Sequence, residues 1–424
     1  MEADLDYLPD PWHRHSWICY GNPVIMKALH SSRIYFEDGV RAGFLLIEND
    51  KIAGYCGEGS NPDNIEDYGD LRIIPGIFDT HNHGTYGYGN SDLAKTGDTD
   101  LIKDDLRHYL HALTYEGVTN IFPTETDTLK QVAEVAEEGY PDGAFIQGIH
   151  SEGPYLNRVG EGGRPEPHPD IRMEDVYRYW DDSKGRLKLF AMSPEIPGSY
   201  EAAQFLISKG VTIAFAHSNA KSAEAREAVD HGWRVSTHTA NVMQGIHHRD
   251  IGGLGVMLMD DRIQNEVICD GLHVCMDFID MMFRIKDPSR FMMISDSVAL
   301  AGIAPGRYEI GWVTPLNVSK EGFVRDDDGR LLGSSKSVLF GIGNLVNQLH
   351  LPLEQVLRLS SLNAAQYYGC ADTTGSIAIG KYADLAVISD DYQAQATYVH
   401  GRKVFDRKTE TPVFNMHMFD ELPK

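Results

Sequence analysis

Six short apolar runs of this 424-residue chain are each followed by imidazole or carboxylate side chains. If these groups converge, burying them together costs free energy unless a counter-charge compensates them. A divalent cation supplies that charge, and a set of nitrogen and oxygen donors suits zinc, iron, manganese, cobalt or nickel better than calcium or magnesium. The sequence therefore predicts a bound divalent metal, one or two ions per chain, with zinc favoured. The candidate ligands are His81, His83, Glu152, His217, His238 and Asp296.

The H-x-H pair His81 and His83 closes the first of these runs. Residues i and i+2 of a strand point to the same side, so both imidazoles face one direction and Asn82 faces the other. Such a pair is weak evidence when it stands alone. Its position at the end of the first strand, ahead of a glutamate, two histidines and an aspartate on later strands, makes it specific.

The middle of the chain must position these residues, and there short runs rich in Val, Ile and Phe alternate with amphipathic stretches. This alternation over about 230 residues predicts an α/β fold of the (β/α)8 TIM barrel type, with the chemistry at the carboxyl ends of the strands. A doubly wound open sheet is the alternative, but no G-x-G-x-x-G follows the first strand. The predicted strands are Ile73–Thr80, Thr119–Pro123, Ala144–His150, Leu187–Met192, Val211–Ala216, Arg234–Thr237, Gln264–Cys269 and Phe291–Ser295. The predicted helices between them include Asp100–Tyr115, Leu129–Glu138, Tyr200–Lys209 and Ser222–His231.

The two ends of the chain have a different texture, in which short apolar runs are cut by turn signals such as Glu37-Asp38-Gly39. This pattern is typical of β-hairpins. It predicts a small β-sandwich domain built from both chain ends, residues 17–72 plus 376–424, flanking a catalytic barrel of residues 73–375. The polar, proline-bearing residues 1–16 are predicted to form an N-terminal arm.

The net charge of the chain is 38 − 62 = −24, which disfavours nucleic acid and anionic membranes as partners. No apolar run reaches the roughly 18 residues that a membrane span needs. The acidic N-terminus lacks the order of a signal peptide, and the five scattered cysteines are typical of reduced thiols. These features predict a cytoplasmic protein.

The motifs at the strand ends resemble those of the amidohydrolase superfamily, and the likeness runs from Pro75 to Leu385. Within the superfamily the chain resembles the N-acetylglucosamine-6-phosphate deacetylases. The motifs that carry this likeness are residues 150–157 (HSEGPYLN), 216–220 (AHSNA), His238 with Asn241, 270–273 (DGLH) and Ser295-Asp296.

The resemblance implies that Glu152, His217 and His238 are metal ligands common to these deacetylases. His81 and His83 match a first-strand pair that some members have, and their presence here favours two metals, with Glu152 bridging and Asp296 touching one ion. The implied reaction converts N-acetylglucosamine 6-phosphate and water to glucosamine 6-phosphate and acetate. The metal makes hydroxide available near neutral pH, and Asp296 acts as general base and then general acid.

The resemblance also implies how the substrate is bound. Arg249 corresponds to an arginine that holds the sugar phosphate, and the family's homodimer allows that arginine to come from the neighbouring subunit. His273 is the candidate electrophile at the amide carbonyl. The implied substrate contacts are Gly163, Arg164, Ala240, Asn241, Arg249, His273, Leu332, Gly333 and Ser334.

One departure leaves the substrate open, because Arg164 stands where these deacetylases usually carry a histidine. Alternative substrates are N-acetylgalactosamine 6-phosphate, an unphosphorylated N-acyl sugar, an N-acyl amino acid and a cyclic amide. A non-catalytic scaffold on the same fold would be expected to lack metal ligands, whereas all six candidate ligands are present.

Overall fold

The computed structural model describes residues 26–89, 91–159, 164–165, 167–309 and 315–420. The predicted arm of residues 1–16 lies outside these ranges. The chain first forms an antiparallel meander, and β1 then pairs in parallel with two further strands. These strands are β1 (Lys27–Phe36), β2 (Gly39–Glu48), β3 (Lys51–Gly57), β4 (Ile65–Asp67) and β5 (Arg72–Pro75).

The next strands form a parallel ring, apart from a two-stranded hairpin of β10 and β11. Strand pairing runs from β6 through β7 to β8 and from β9 through β12 to β16. Two parallel bridges, Thr124 to His150 and Asn82 to Ser297, join these arcs into one barrel. The strands are β6 (Ile77–Asn82), β7 (Val118–Pro123), β8 (Phe145–Ile146), β9 (Ile149–Glu152), β10 (Arg158–Val159), β11 (Arg164–Pro165), β12 (Leu187–Met192), β13 (Thr212–Phe215), β14 (Trp233–Ser236), β15 (Gln264–Ile268) and β16 (Phe291–Ile294).

Helices follow the barrel strands and bury their apolar faces in one large core with the outer side of the ring. The first of them is capped by Asp98, whose carboxylate accepts hydrogen bonds from the backbone N–H groups of Asp100 and Leu101. All four predicted helices are confirmed within two residues at each end. The helices are α1 (Thr99–Leu113), α2 (Leu129–Glu138), α3 (Met173–Asp182), α4 (Ser199–Ser208), α5 (Ser222–Asp230), α6 (Gly252–Met259), α7 (Met276–Ile285), α8 (Val338–Leu349), α9 (Leu353–Leu357) and α10 (Asn363–Tyr367).

The predicted strand Ile73–Thr80 is two strands in the structure, because the chain leaves one sheet and enters another at Gly76. β5 pairs with a strand near the C-terminus, whereas β6 pairs with β7 of the barrel. A Cβ atom on Gly76 would lie 2.2 Å from the side chain of Thr119, so only glycine permits this close approach. The predicted strand Ala144–His150 is likewise divided into β8 and β9, with β9 continuing to Glu152.

A small antiparallel sheet separates the last barrel strand from α8. Its strands are β17 (Gly306–Tyr308), β18 (Leu316–Val318), β19 (Phe323–Asp326) and β20 (Leu331–Ser334). The C-terminal residues Phe414, Met418 and Phe419 pack against this sheet. They therefore belong structurally with the barrel face, although they lie beyond the last strand in sequence.

The final strands return to the beginning of the chain, and β21 pairs with β5. The order β23-β22-β21-β5-β1-β2-β3, with β4 attached to β1, makes one sheet from both chain ends. Part of its buried side chains form a separate apolar cluster, whereas others, such as Ile74 and Phe405, pack into the large cluster of the barrel. Within the described ranges, no helix is long and apolar enough to cross a membrane. The strands are β21 (Leu385–Ile388), β22 (Ala394–Val399) and β23 (Arg402–Asp406).

Candidate metal centre

The H-x-H pair meets two carboxylates at the carboxyl end of the barrel. The Nε2 atoms of His81 and His83 lie 3.4 Å and 3.1 Å from Oε2 of Glu152. Both Nε2 atoms also lie 3.4 Å from Oδ1 of Asp296. These four residues come from the ends of β6, β9 and β16, and each offers one atom to a common point.

Glu152 also belongs to a second group. Its other oxygen, Oε1, lies 3.0 Å from the Nε2 atoms of both His217 and His238, which are themselves 3.0 Å apart. The two histidines lie two residues after the ends of β13 and β14. Glu152 thus turns one carboxylate oxygen to each group and joins them.

This arrangement of donors fits metal ions. The Nδ1–H of His217 donates to the backbone carbonyl oxygen of Arg158 (2.6 Å), which leaves the lone pair of Nε2 directed at Glu152 and His238. Two nitrogen lone pairs at 3.0 Å repel each other unless a proton or a cation lies between them. Each group has three or four nitrogen and oxygen donors, which is the usual number that a protein supplies to zinc or a similar ion.

The charges of the centre stabilise one another in the metal-free chain. Burial alone would lower the pKa values of the two first-strand histidines. The nearby carboxylates of Glu152 and Asp296 outweigh burial, so the pKa of His83 rises to about 9 and that of His81 rises well above its ordinary value. Because metal ligation requires neutral imidazoles, metal binding must release protons from this pair.

The carboxylates are shifted in the opposite direction. Burial would raise the pKa of Glu152, but the charge of His81 and the close approach of the His217 and His238 imidazoles hold that pKa well below its usual range. The pKa of Asp296 is also lowered, because His81 and His83 outweigh its burial. Both side chains are therefore ionised at neutral pH and available as anionic ligands.

Several residues of the centre have left-handed backbone conformations that non-glycine residues rarely adopt. The φ angles are 48° for His217, 29° for His238 and 49° for Asp296. Strain of this kind persists where the surrounding structure fixes it, and it concentrates at functional sites. Here it turns each side chain sharply at the end of its strand.

His273 is held beside the centre by a carboxylate. Its Nδ1–H donates to Oδ2 of Asp270 (2.7 Å), and Asp270 also accepts from the hydroxyl of Ser334 (2.9 Å). Burial would lower the pKa of His273, but its hydrogen bond to Asp270 and the charge of that carboxylate raise it. The backbone of Gly333 contributes a further hydrogen bond to His273. Three predicted substrate residues thus lie on β20, the strand that contacts His273 and its partner Asp270. They are Leu332, Gly333 and Ser334.

The other predicted substrate residues differ in their surroundings. Asn241 follows His238 closely, and its side-chain amide donates to the His238 carbonyl oxygen (3.0 Å). Arg249 lies on an exposed turn, where its Nη1 is 2.9 Å from Nε2 of His248. The backbone of Arg164 pairs with Val159 in the hairpin of β10 and β11. Gly163 lies outside the described residues, and Ala240 has a φ angle of 84° between His238 and Asn241.

Two buried or half-buried carboxylates of the site escaped the sequence analysis. Glu266 lies within β15 and is fully buried, with Oε1 accepting from the hydroxyl of Thr80 (2.9 Å). Glu195 accepts hydrogen bonds from the side chains of Asn157 and Ser218, and thereby fixes the segment after His217. The sequence did contain a signal for Glu266, because a charged residue inside the apolar run Gln264–Cys269 indicates a buried carboxylate with a partner.

A closed parallel barrel that carries these donors on its strand ends defines the class of metal-dependent barrel hydrolases. The sequence model of the amidohydrolase family matches residues 72–404, and the chain belongs to this family. The predicted superfamily and barrel fold are therefore confirmed.

Three proteins similar to this chain are named as deacetylases of N-acetylhexosamine 6-phosphates. The N-acetylglucosamine-6-phosphate deacetylase of Vibrio furnissii is 31% identical over 351 residues, which are 80% of this chain and 85% of that protein. The N-acetylgalactosamine-6-phosphate deacetylase of Escherichia coli O157:H7 is 28% identical over 332 residues, covering 78% and 87%. The crystal structure of N-acetylglucosamine-6-phosphate deacetylase from Pasteurella multocida matches with a TM-score of 0.78 at 25% identity, covering 89% of this chain and 99% of that one.

Proposed function

We propose that this protein removes the N-acetyl group of an amino-sugar phosphate, converting N-acetylglucosamine 6-phosphate and water to glucosamine 6-phosphate and acetate. The observation that carries the proposal is the position of Glu152, which joins two ligand groups beside the carboxylate of Asp296. The likeness to deacetylases over about four fifths of the chain supports the same reaction.

The metal ions would be held by His81, His83, Glu152 and Asp296 on one side and by Glu152, His217 and His238 on the other; zinc is the ion we favour. When bound, such ions polarise the amide carbonyl and lower the pKa of water.

The protein's own groups move the proton. Asp296 is pinned through its backbone, because its N–H donates to the His81 carbonyl oxygen (2.9 Å) and its carbonyl accepts from the N–H of Ser334 (2.8 Å). A carboxylate held in this way takes a proton from the attacking water and returns it to the amine nitrogen as the C–N bond breaks. His273, whose pKa Asp270 raises, is the candidate donor to the amide oxygen as negative charge develops there.

The sugar phosphate would be bound by Arg249, with Arg164 as a second cation. A guanidinium offers a planar pair of donors that matches phosphate oxygens. Arg249 lies on an exposed turn. We therefore propose that the protein is a homodimer in which Arg249 of each subunit binds the sugar phosphate in the active site of the other subunit. We also propose that the enzyme works in the cytoplasm and binds neither nucleic acid nor membranes.

N-acetylgalactosamine 6-phosphate is the second candidate substrate, and the observation that favours it is the likeness to the N-acetylgalactosamine-6-phosphate deacetylase of Escherichia coli O157:H7. The deciding experiment is an acetate-release screen on metal-reconstituted protein. The screen compares both N-acetylhexosamine 6-phosphates, the free sugars and N-acyl amino acids. We expect the two phosphates to lead. Turnover confined to N-acyl amino acids would overturn the proposal.

We predict that the purified protein binds close to two divalent ions per chain. Replacing His81 and His83 together by asparagine should reduce this number to about one, because the group of Glu152, His217 and His238 keeps all its donors. Elemental analysis of the dialysed protein measures both values. A wild-type stoichiometry near one that the double replacement leaves unchanged would contradict the two-ion centre.

A further prediction concerns the phosphate contact. Arg249→Ala should raise KM for the phosphorylated sugar by the equivalent of about 1.5–3 kcal/mol, the usual contribution of a hydrogen bond to a charged group. The unphosphorylated sugar should be unaffected, because it lacks the group that Arg249 binds. Steady-state kinetics on both sugars provides the test, and His247→Ala on the same turn is the matched control. Equal weakening for both sugars would assign Arg249 a structural role instead.

A further inference from the structure

Two buried polar atoms beside the metal centre face each other. Nδ1 of His81 lies 3.6 Å from Oε2 of Glu266, and both residues have no solvent-exposed surface. Neither atom has a hydrogen-bond partner among the residues that the structure describes. Leaving a buried carboxylate oxygen and a buried ring nitrogen both unpaired is costly, so a hydrogen bond between them is the natural way to satisfy both.

The other hydrogen bond of Glu266 leaves its Oε2 atom available to accept from His81. Its Oε1 accepts from the Thr80 hydroxyl, which fixes the plane of the carboxylate without neutralising it. The strand β15, which carries Glu266, lies between β14 and β16, so the barrel sheet holds the backbone of Glu266 in place on both sides. The free oxygen of Glu266 therefore faces the ring of His81 and not solvent.

We propose that Glu266 is a positioning residue that accepts the Nδ1–H of His81 and thereby directs the Nε2 lone pair of His81 to the metal. The inference rests on the proposed function for the existence of that metal. A carboxylate behind a ligating histidine fixes the ring and its tautomer and increases its basicity. His217 has a neutral backbone carbonyl in the same position. The first-strand ion is therefore the one whose retention depends on Glu266.

Charge balance supports this assignment. Glu152, Asp296 and Glu266 place three carboxylates in and directly behind the centre. With neutral imidazoles these groups carry a charge of about −3, so two divalent ions leave an excess of about +1, whereas without Glu266 the same two ions would leave about +2. Glu266 thus favours a second cation in addition to orienting its ligand.

The test is Glu266→Gln in the full-length protein, with zinc as the probe. We expect the affinity for one of the two ions to fall by about 10- to 100-fold in chelator competition, while the other ion is retained. In the His81→Asn background the same change should have little further effect, since its target ring is gone. Glutamine keeps the shape of the side chain and an oxygen that can accept the Nδ1–H of His81, so the metal-free variant should stay folded, which its melting curve checks. Glu66→Gln, which replaces a half-buried carboxylate of the terminal sheet, is the matched control and should leave zinc binding unchanged.

Unchanged zinc affinity of the folded Glu266→Gln protein would overturn the proposal and make Glu266 a purely structural residue. Equal losses from Glu266→Gln in the wild-type and His81→Asn backgrounds would overturn it as well. Because these measurements need no substrate, they are independent of the acetate-release screen. A screen without acetate release would remove the proposed reaction and leave the role of Glu266 at the ion intact.

Discussion

Replacing Asp296 by asparagine should abolish most turnover while leaving most of the bound metal in place. The amide has the same size and can still offer an oxygen to the ion, but it cannot accept the proton of the attacking water. General acid–base catalysis contributes about 100- to 10,000-fold, and the loss in kcat should lie in that range. The measurement pairs acetate release with elemental analysis of the same sample.

The matched control is Asp127→Asn, which changes an exposed aspartate on the loop after β7, at the same end of the barrel. It should leave both turnover and metal content unaltered. If Asp296→Asn lowers kcat less than about tenfold at full metal content, another group is the base. A parallel loss of metal and turnover would make Asp296 chiefly a ligand.

The grouping of the candidate ligands could be predicted from the sequence because it follows two general rules. Strand residues two apart share a face, as His81 and His83 do, and the carboxyl ends of parallel barrel strands meet on one side. Neither rule needs knowledge of packing. The structure accordingly brings Glu152 and Asp296, which are 144 positions apart in the chain, to the same imidazole nitrogens.

The break at Gly76 could not be predicted in this way. Residues 73–80 contain the breaker signal Pro75-Gly76, but this signal does not by itself show that the chain passes from one sheet to another there. The reason is tertiary, since the side chain of Thr119 fills the space that a Cβ atom on residue 76 would need. The divided strand near Gly148 has a similar cause, because the side chains of Lys188 and Phe122 crowd that glycine.

The supporting residues of the site were also beyond the local pattern. Ser334 was predicted to touch substrate, and the structure shows its hydroxyl donating to Asp270, 64 positions earlier in the chain. Glu266 was treated as part of a strand interior, although a carboxylate in a fully buried strand must have a partner. Which partner it approaches depends on the closure of the barrel, which periodicity does not specify.

The largest loss should follow from Glu152→Gln, because this residue is the only one shared by the two ligand groups of the described chain. Glutamine preserves the shape, but it removes the charge that both groups face and places an NH2 group against one set of imidazole nitrogens. We expect both ions to be lost in dialysis. Turnover should fall by at least about 1,000-fold, since metal ions stabilise the transition state by several kcal/mol and each 1.36 kcal/mol is tenfold in rate.

Glu125→Gln is the matched control for this loss. Glu125 lies after the neighbouring strand β7 and accepts a hydrogen bond from the Thr128 hydroxyl (2.9 Å), but it belongs to neither ligand group. Its replacement should keep both ions. The comparison separates the bridging position from the general effect of removing a carboxylate at this end of the barrel. A Glu152→Gln protein that retains two ions, with turnover within tenfold of wild type, would show that the ions are held without the bridge, and the joined centre would then be wrong.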